Sequence, residues 1–451
     1  MDTIAEYIAS YGASIGYEDL PPEVIHKVKC LLIDSLACAL GGYDSEPSRI
    51  ARRIAGRVYK CDMPATIIGS GEKSSPELAT FANGTMIRYL DFNDGFCGKS
   101  AGHPSDNFGP VLTCADAVGA GGREVIVASV LAYEVFCRLS DRFDLKGFDQ
   151  AVTGVISCVM GASKIFSLSF KQMVEAVNLA ITPNISLLQT RLGELSMWKG
   201  CALANAARNA VFASFLAKEG MTGPSPVFEG RAGFIKVISG PFQLEEFGGK
   251  GSPFRIMDVL IKRYPCGMFA QTAIDAAIKL RLKIPSLNEI AAVNIGTFEL
   301  GKTVMAGDDE KWHPKTRESA DHSIPYVVGV ALKYGTVEVK HFTDEYLENV
   351  DLFNLMKKIR VEKTEECDEL FPAASANRVE VVTTSGERFS EIVEYHRGHF
   401  KNALTNEEIE EKFYMLSRDL LSPIRTRELL SLLWNLEQVD DISKIMQLLI
   451  I

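Results

Sequence analysis

Apolar positions recur at helical spacing over most of the first half of this chain. Val24, Val28, Leu31, Leu32, Leu36, Ala39 and Leu40 fall on one helical face. Asp19 and the Pro21-Pro22 pair open that helix, because a proline at the first helical position gives up an N–H that would find no partner there anyway. Gly41-Gly42 close it. A second helix starts at Ser75-Pro76-Glu77, carries Leu78, Phe81, Ala82 and Tyr89, and expires near Asp91. The next has Pro110 in its head. Residues 124–139 are strongly apolar, and residues 151–165 are small and apolar. Ser169 and Gln172 form a capping-box pattern for a helix running to Ala180. Alanines at 202, 204, 206, 207 and 210 give residues 201–217 a thin face for close helix packing, and Gly220 stops that helix.

The pattern changes after Tyr264. Residues 291–300 alternate with β-branched side chains, and residues 377–395 read as two strands around Thr384-Ser385-Gly386-Glu387. Between them lie a helix over 323–334 and a charged stretch over 342–358. After Arg397-Gly398 helical spacing returns, through 407–416, 425–436 and 439–450. The predicted fold is mainly α with a smaller α+β domain. A large all-helical domain takes residues 1–263 and 398–451, and an inserted α+β lid domain takes residues 264–397. No internal repeat is evident.

Composition narrows the function. The 451 residues are 47% apolar and 24% charged, ordinary for a folded globular chain. A net charge of −10, from 48 basic and 58 acidic residues, argues against nucleic-acid or anionic-membrane partners but leaves room for a local cationic pocket. The longest mainly apolar run, 125–137, is broken by Glu134 and is too short to span a bilayer. The first residues carry acids where a signal peptide carries bases, so a cytoplasmic protein with reduced thiols is expected. The ten cysteines include no Cys-x-x-Cys pair, and no Cys or His pair has metal-ligand spacing. There is no phosphate loop, dinucleotide fingerprint or nucleophile elbow. Neither a metal nor an organic cofactor is therefore expected.

Candidate chemistry concentrates in residues 88–107, RYLDFNDGFCGKSAGHPSDN. The acids Asp91, Asp94 and Asp106, the carboxamides Asn93 and Asn107, and His103 share this stretch with three glycines. It reads as a helix tail, a glycine-rich loop and the head of the next helix. Asp91 and Asp94 lie at a helix C-terminus, where the dipole disfavours a carboxylate, so Asp91 needs a compensating partner or a function. Ser105, Asp106 or Asn107 can cap the following helix, whose free N–H groups could also receive an anion. His103 is either a surface histidine or a general acid–base. Asp149, in Gly-Phe-Asp-Gln, is a natural N-cap. Lys199, beside the alanine-rich helix, either snorkels to solvent or grips an anion. Lys262, Arg263 and Tyr264 sit at the domain junction, where ligand clefts form. His322 and Tyr326 each also have an ordinary core reading. The residues alone allow a cofactor-free enzyme acting on an anion and go no further.

Longer strings carry a resemblance. LLIDSLACALGG (31–42), YLDFNDG (89–95), HPSDN (103–107), WKGCALANAARNAVFASFLAKEGMTGP (198–224), KRYPCGMFAQTAIDAA (262–277), ADHSIPYVV (320–328) and NRVEVVTTSGERF (377–389) together resemble the MmgE/PrpD family, nearly end to end. That family includes 2-methylcitrate dehydratase, cis-aconitate decarboxylase and iminodisuccinate epimerase. The resemblance implies a helical domain with a smaller α+β lid, usually as a homodimer. It also implies bond-making or bond-breaking beside a carboxylate of a small anionic polycarboxylate, without metal or organic cofactor. The family's catalytic positions fall on Asp91, His103, Lys199, Lys262 and Tyr326, with Asn93, Ser105, Asp149, Gln271 and His322 as the substrate-binding set. In that frame Lys199 and Lys262 hold carboxylates, His103 shuttles a proton, Asp91 orients its neighbours and Tyr326 closes the site from the lid. Replacing Lys199 or Lys262 by Ala is then expected to lower activity far more than stability.

Three departures bear on the activity. Asp149 and Gly267 stand where the decarboxylases place histidines, and HPSDN and Gln271 look dehydratase-like. Gly95 replaces a Thr of both branches and is expected to decide substrate identity. A hydro-lyase acting on a 2-methylcitrate-like acid is the leading expectation, ahead of an epimerase of a dicarboxylate and of a non-catalytic family member.

Overall fold

The computed structural model describes residues 3–58 and 60–451. The first helix, α1 (Ile4–Ser14), starts at a full capping box between Thr3 and Glu6. The sequence reading passed over it, although Ile4, Ile8 and Tyr11 recur at helical spacing. There follow α2 (Pro22–Gly41), α3 (Glu46–Ala55), α4 (Pro76–Tyr89), α5 (Phe108–Val118), α6 (Gly122–Ser140), α7 (Ala151–Ile165), α8 (Phe170–Ile181) and α9 (Ala202–Lys218). The capping box of α8 forms as its sequence predicts. Small residues set the packing of α9: a Cβ added at Gly84 on α4 would lie 3.1 Å from the Cβ of Ala204. That closeness holds α4, whose C-terminal end carries the candidate site, hard against α9. Glu134, the charge that interrupts the apolar run of α6, is wholly buried and accepts hydrogen bonds from the N–H groups of Gly248 (3.0 Å) and Ile256 (3.2 Å). A carboxylate in the core is tolerable because backbone donors meet it.

Apolar side chains separate into two main cores. One gathers residues from Ala5 to Ile261 and again from Ile409 to Leu449. The other gathers residues from Tyr264 to Val393. The second is built on a four-stranded sheet in the order Ile359–Lys363, Ile290–Thr297, Asn377–Thr383, Arg388–Val393. The first pair runs parallel with Val293 opposite Ile359, and the other two pairs run antiparallel. Along Asn377–Thr383 buried and half-buried residues alternate, which puts Val379 and Val381 on the covered face. Helix α10 (Gln271–Arg281) and the helix Ile324–Tyr334 pack against each other in this core, and α10 lies against the hairpin. The strand Ile359–Lys363 escaped the sequence reading because only Ile359 and Val361 are apolar among its five residues.

The chain then returns through the helices Asn406–Ser417 and Pro423–Trp434. The last expected helix is shortened to Ser443–Leu448. Val439 and Ile442 instead bond across to Gly122 and Ala120 at the α5–α6 corner. The architecture is mainly α with a smaller α+β part. No helix among the described residues is long and apolar enough to cross a membrane.

Candidate active site

Just past α4 the chain turns at Asp91, a non-glycine residue with φ of +50° and no solvent exposure. Such a conformation costs about 1–2 kcal/mol and needs surroundings that hold it. Four elements supply them. Arg88, one turn back on α4, donates from Nη1 to Asp91 Oδ1 at 2.8 Å. Lys262 donates to the same oxygen at 2.5 Å and to the Asp91 carbonyl at 2.9 Å. Lys199, on the 3-10 turn Met197–Gly200, lies 3.1 Å from Oδ2, and His322 Nδ1 lies 3.0 Å from it. Neither of these last two is aligned as a hydrogen bond, since Oδ2 has no aligned donor; the Lys199 contact is one of charge. Lys199 also pairs with Asp321, whose Oδ1 accepts from His322 Nδ1 at 2.8 Å. Below the cluster, Lys412 donates to the carbonyls of Phe92 (2.7 Å) and Lys262 (2.9 Å) and pairs with buried Asp34. One ammonium therefore ties together the two backbone segments that carry Asp91 and Lys262.

Burial opposes ionisation of Asp91, but Arg88, Lys199, Lys262 and His322 outweigh it and hold the carboxyl well below its ordinary range. Burial raises Asp321 as well, and Lys199 with His322 brings it below its usual value. Lys262 is lowered by burial, an effect that Asp91 partly offsets. Three buried cations (Arg88, Lys199, Lys262) thus face two carboxylates (Asp91, Asp321), which leaves positive charge to spare. Asp91, Asp321 and His322 are close enough to hold a cation between them. The Lys199 ammonium already bridges the two carboxylates, so a metal there would have to displace it.

His103 is 6% exposed, not the surface histidine that its loop position allowed. Its Nδ1 lies 2.7 Å from the Asp94 carbonyl. A carbonyl only accepts, so Nδ1 carries the hydrogen and Nε2 keeps its lone pair. Nε2 stands 3.9 Å from Asp91 Oδ1. Burial, with Arg88 and Lys262, holds His103 well below the usual imidazole range, so the ring is neutral. His322 is likewise lowered, by burial and Lys199, and its Nδ1 faces only carboxylate oxygens. Arg88, His103, Asp149, Arg191, Met268 and His322 help line a cavity of about 370 Å³. A larger cavity of about 670 Å³, lined by Phe96, Cys97 and Gly98 and sharing Lys99 with the first, contains none of the ion-paired cluster.

The structure brings Asp91, His103, Lys199, Lys262 and His322 together and leaves other expected residues out. Tyr326 stays in the sheet-side core, where its hydroxyl donates to the His341 carbonyl at 2.5 Å, so it does not close the site. Gln271 is spent on backbone: its side chain accepts from Arg263 and Tyr264 N–H and donates to the Tyr264 carbonyl. Asn93 donates to Ser105 Oγ, and Ser105 donates twice to Asp94 Oδ1, whose other oxygen accepts from Tyr133. This set shapes the loop instead of facing the cavity. Burial raises Asp94 to about 6 against those hydrogen bonds. None of Ser105, Asp106 and Asn107 caps α5 through its side chain, because the 3-10 turn Pro104–Asn107 runs straight into that helix and occupies its first N–H groups. Asp149 does accept from Ala151 N–H at the start of α7, and it also pairs with Arg191 at 2.7 Å.

Arg88, Asp321 and Arg191 were missed by the sequence reading. The signal for Arg88 was its i, i+3 relation to Asp91, which sets a guanidinium beside a carboxylate that needed one. Gly95 does not line the cavity. A Cβ there would lie 3.0 Å from Met268 Cε, so the glycine admits Met268, which does line it. At Gly267 a Cβ would meet Met305 Cε at 2.7 Å. Methionines thus fill the two places where the family pattern has polar side chains.

Comparison with known proteins decides the lineage. Residues 6–246 match the MmgE/PrpD N-terminal domain and residues 264–438 the MmgE/PrpD C-terminal domain. The chain belongs to the MmgE/PrpD family. Among its relatives in the family, cis-aconitate decarboxylase of Aspergillus terreus is 24% identical, over 99% of this chain and 96% of that protein. A probable 2-methylcitrate dehydratase of Saccharomyces cerevisiae is 28% identical, over 81% of this chain and 76% of that protein. The 2-methylcitrate dehydratase of Salmonella typhimurium is also 28% identical, over 82% and 80%. Such relatives support a lyase-type enzyme for this MmgE/PrpD protein.

Proposed function

We propose that the chain is a hydro-lyase that removes water from a hydroxy-polycarboxylate of the 2-methylcitrate type. The observation that carries this reading is the charge surplus of Arg88, Lys199 and Lys262 over Asp91 and Asp321 beside a neutral histidine. Substrate carboxylates complete the charge balance at Lys199 and Lys262, and the cations stabilise the enolate that develops when the adjacent C–H is broken. His103 Nε2 takes that proton. The C–O bond to the neighbouring hydroxyl then breaks, the imidazolium returns the proton to the departing hydroxide, and water and an alkene remain. Asp91 fixes the cations and takes no proton. The sheet-side body acts as a lid, because Asp321 and His322 complete the cluster from it.

The lock of Asp149 on Arg191 argues against decarboxylation, which in the family's pattern uses a histidine there. A second reading is epimerisation of a dicarboxylate. It is favoured by His103 and His322, each holding a hydrogen on Nδ1 and leaving Nε2 as a base, since abstraction and return of one proton need no leaving group. Ile185, Leu187, Met197 and Trp198, exposed on the segment leading to Lys199, support a homodimer as the working unit.

The test is to offer the purified protein 2-methylcitrate, citrate, cis-aconitate and iminodisuccinate in turn. Ultraviolet absorbance of the conjugated alkene and chiral analysis follow each reaction. Alkene from a hydroxy acid is expected. Inversion without alkene would replace the hydro-lyase by the epimerase, and no turnover of any acid would sink both.

A further inference from the structure

We propose that Lys311 is a positioning residue that takes charge of Asp321 when an anionic substrate claims Lys199; this rests on the substrate role given to Lys199 above. Lys311 lies in the short helix Asp309–Trp312 and is fully shielded from solvent. Its ammonium has no hydrogen-bond partner among the described residues. A lysine normally reaches solvent or a carboxylate, because an unpaired buried ammonium is costly to hold. The position is not loose: Ser323 Oγ donates to the Lys311 carbonyl, which fixes this turn to the segment carrying Asp321 and His322. Asp321 has the complementary defect. Its Oδ1 holds Lys199 and His322, whereas its Oδ2 is buried without a partner.

The electrostatics agree with this placement. Burial and Lys199 bring the Lys311 ammonium down to about 8, with Asp321, Asp308 and Glu310 opposing them. Lys311 is thus coupled to both members of the pair it would rearrange.

At rest Lys199 is shared between Asp91 and Asp321. A substrate carboxylate that takes Lys199 must loosen Asp321, and a buried carboxylate stripped of its cation is strongly destabilised. Lys311 is the cation held in reserve. No covalent step is involved, and the exchange transfers one ion pair from Lys199 to Lys311.

The test needs no substrate. Lys199→Met, Lys311→Met and the double variant are compared by melting temperature. Lys311→Met alone is expected to leave the melting temperature unchanged or raise it, since it removes an unpaired buried charge. In the Lys199→Met background the same change is expected to lower it by several degrees, because Asp321 then has neither cation, and Lys311→Arg should restore the loss. Additive effects overturn the proposal. Should Lys199→Met fail to fold, Lys199→Gln gives the same cycle. In turnover, Lys311→Met should raise KM by roughly tenfold, more than it lowers kcat; an unchanged KM overturns the proposal. Additivity with alkene formation intact removes the handover alone. Non-additivity without turnover of any acid removes the hydro-lyase reading alone.

Discussion

Asp91 shows at the scale of one residue how function and stability share the same atoms. The family resemblance implies that removing Lys262 lowers activity far more than stability. The structure changes that expectation, because Lys262 is fully buried and bonded to both the carboxylate and the carbonyl of Asp91. Lys262→Ala leaves a buried carboxylate short of a cation, for a cost of about 3–5 kcal/mol. Thermal or urea unfolding of the variant should show that loss alongside the loss of turnover, and a wild-type melting curve would contradict the buried pairing. A second prediction concerns pH. As the proposed base His103 must be neutral, and its pKa lies well below the ordinary 6.5 because it is buried beside Arg88 and Lys262. Activity is therefore full at neutral pH and falls only as pH drops through that depressed value. The acid limb of kcat/KM should lie below 6.5, whereas a limb at or above it would point to a different base. His103→Gln should lower kcat by roughly 10²–10⁴. The need of Asp91 for a partner was legible in the sequence from its place at a helix end. Which cations would answer was not, because Lys199, Lys262 and Asp321 converge only through tertiary packing.

At the scale of elements, the turn at Gly398 shows how the return of the chain from the sheet-side body positions Lys262. Gly398 has φ of +105°, and a Cβ there would lie 2.0 Å from the Ile261 carbonyl oxygen. Ile261 N–H in turn donates to the Gly398 carbonyl at 2.8 Å, one residue before Lys262. Gly398→Ala must push the 261–262 backbone away. The left-handed conformation alone costs about 1 kcal/mol or more, and the displacement of Lys262 adds a loss of turnover. Melting and kcat should both fall, and a variant with wild-type kcat would show that Lys262 is not held from this side. The sequence marked Arg397-Gly398 as the return to helix, but nothing in it showed a glycine backing onto Lys262. Capping boxes such as Ser169/Gln172 were readable because both partners lie within one turn. The false cap at Ser105–Asn107 was not, because a 3-10 turn in front of α5 took up the N–H groups that a cap would serve. Asp94, satisfied by Ser105 and Tyr133, turned out to shape the loop.

At the scale of the molecule, ion pairs join the two hydrophobic cores beside apolar contacts such as Cys97 and Ala101 against the second core and Val339 against Leu90 and Phe92. Lys199 reaches Asp321, and His322 reaches Asp91, from opposite sides of the boundary. The periodicity switch at Tyr264 and its reversal after Gly398 made two kinds of structure visible in the sequence. The charges that join them were invisible until both were folded. A consequence follows for ligand binding. With three ion-paired cations against two carboxylates, the cluster carries unbalanced charge in a buried place, and a ligand that supplies carboxylates relieves it. A ligand that binds only the folded form at 100 times its Kd stabilises it by about 2.7 kcal/mol. Citrate or 2-methylcitrate should therefore raise the melting temperature, while acetate at the same ionic strength should do so far less, since it brings one negative charge and no second carboxylate held on the same molecule. Raising the salt concentration should weaken the approach of the anion more than its hold once buried, because screening acts on exposed charge. The shift must also vanish in Lys262→Ala at matched ligand concentration, measured against that variant's own lower baseline. A polycarboxylate shift that survives in Lys262→Ala would mean that the anion is held elsewhere, and the cavity beside His103 and His322 would lose its claim to the substrate.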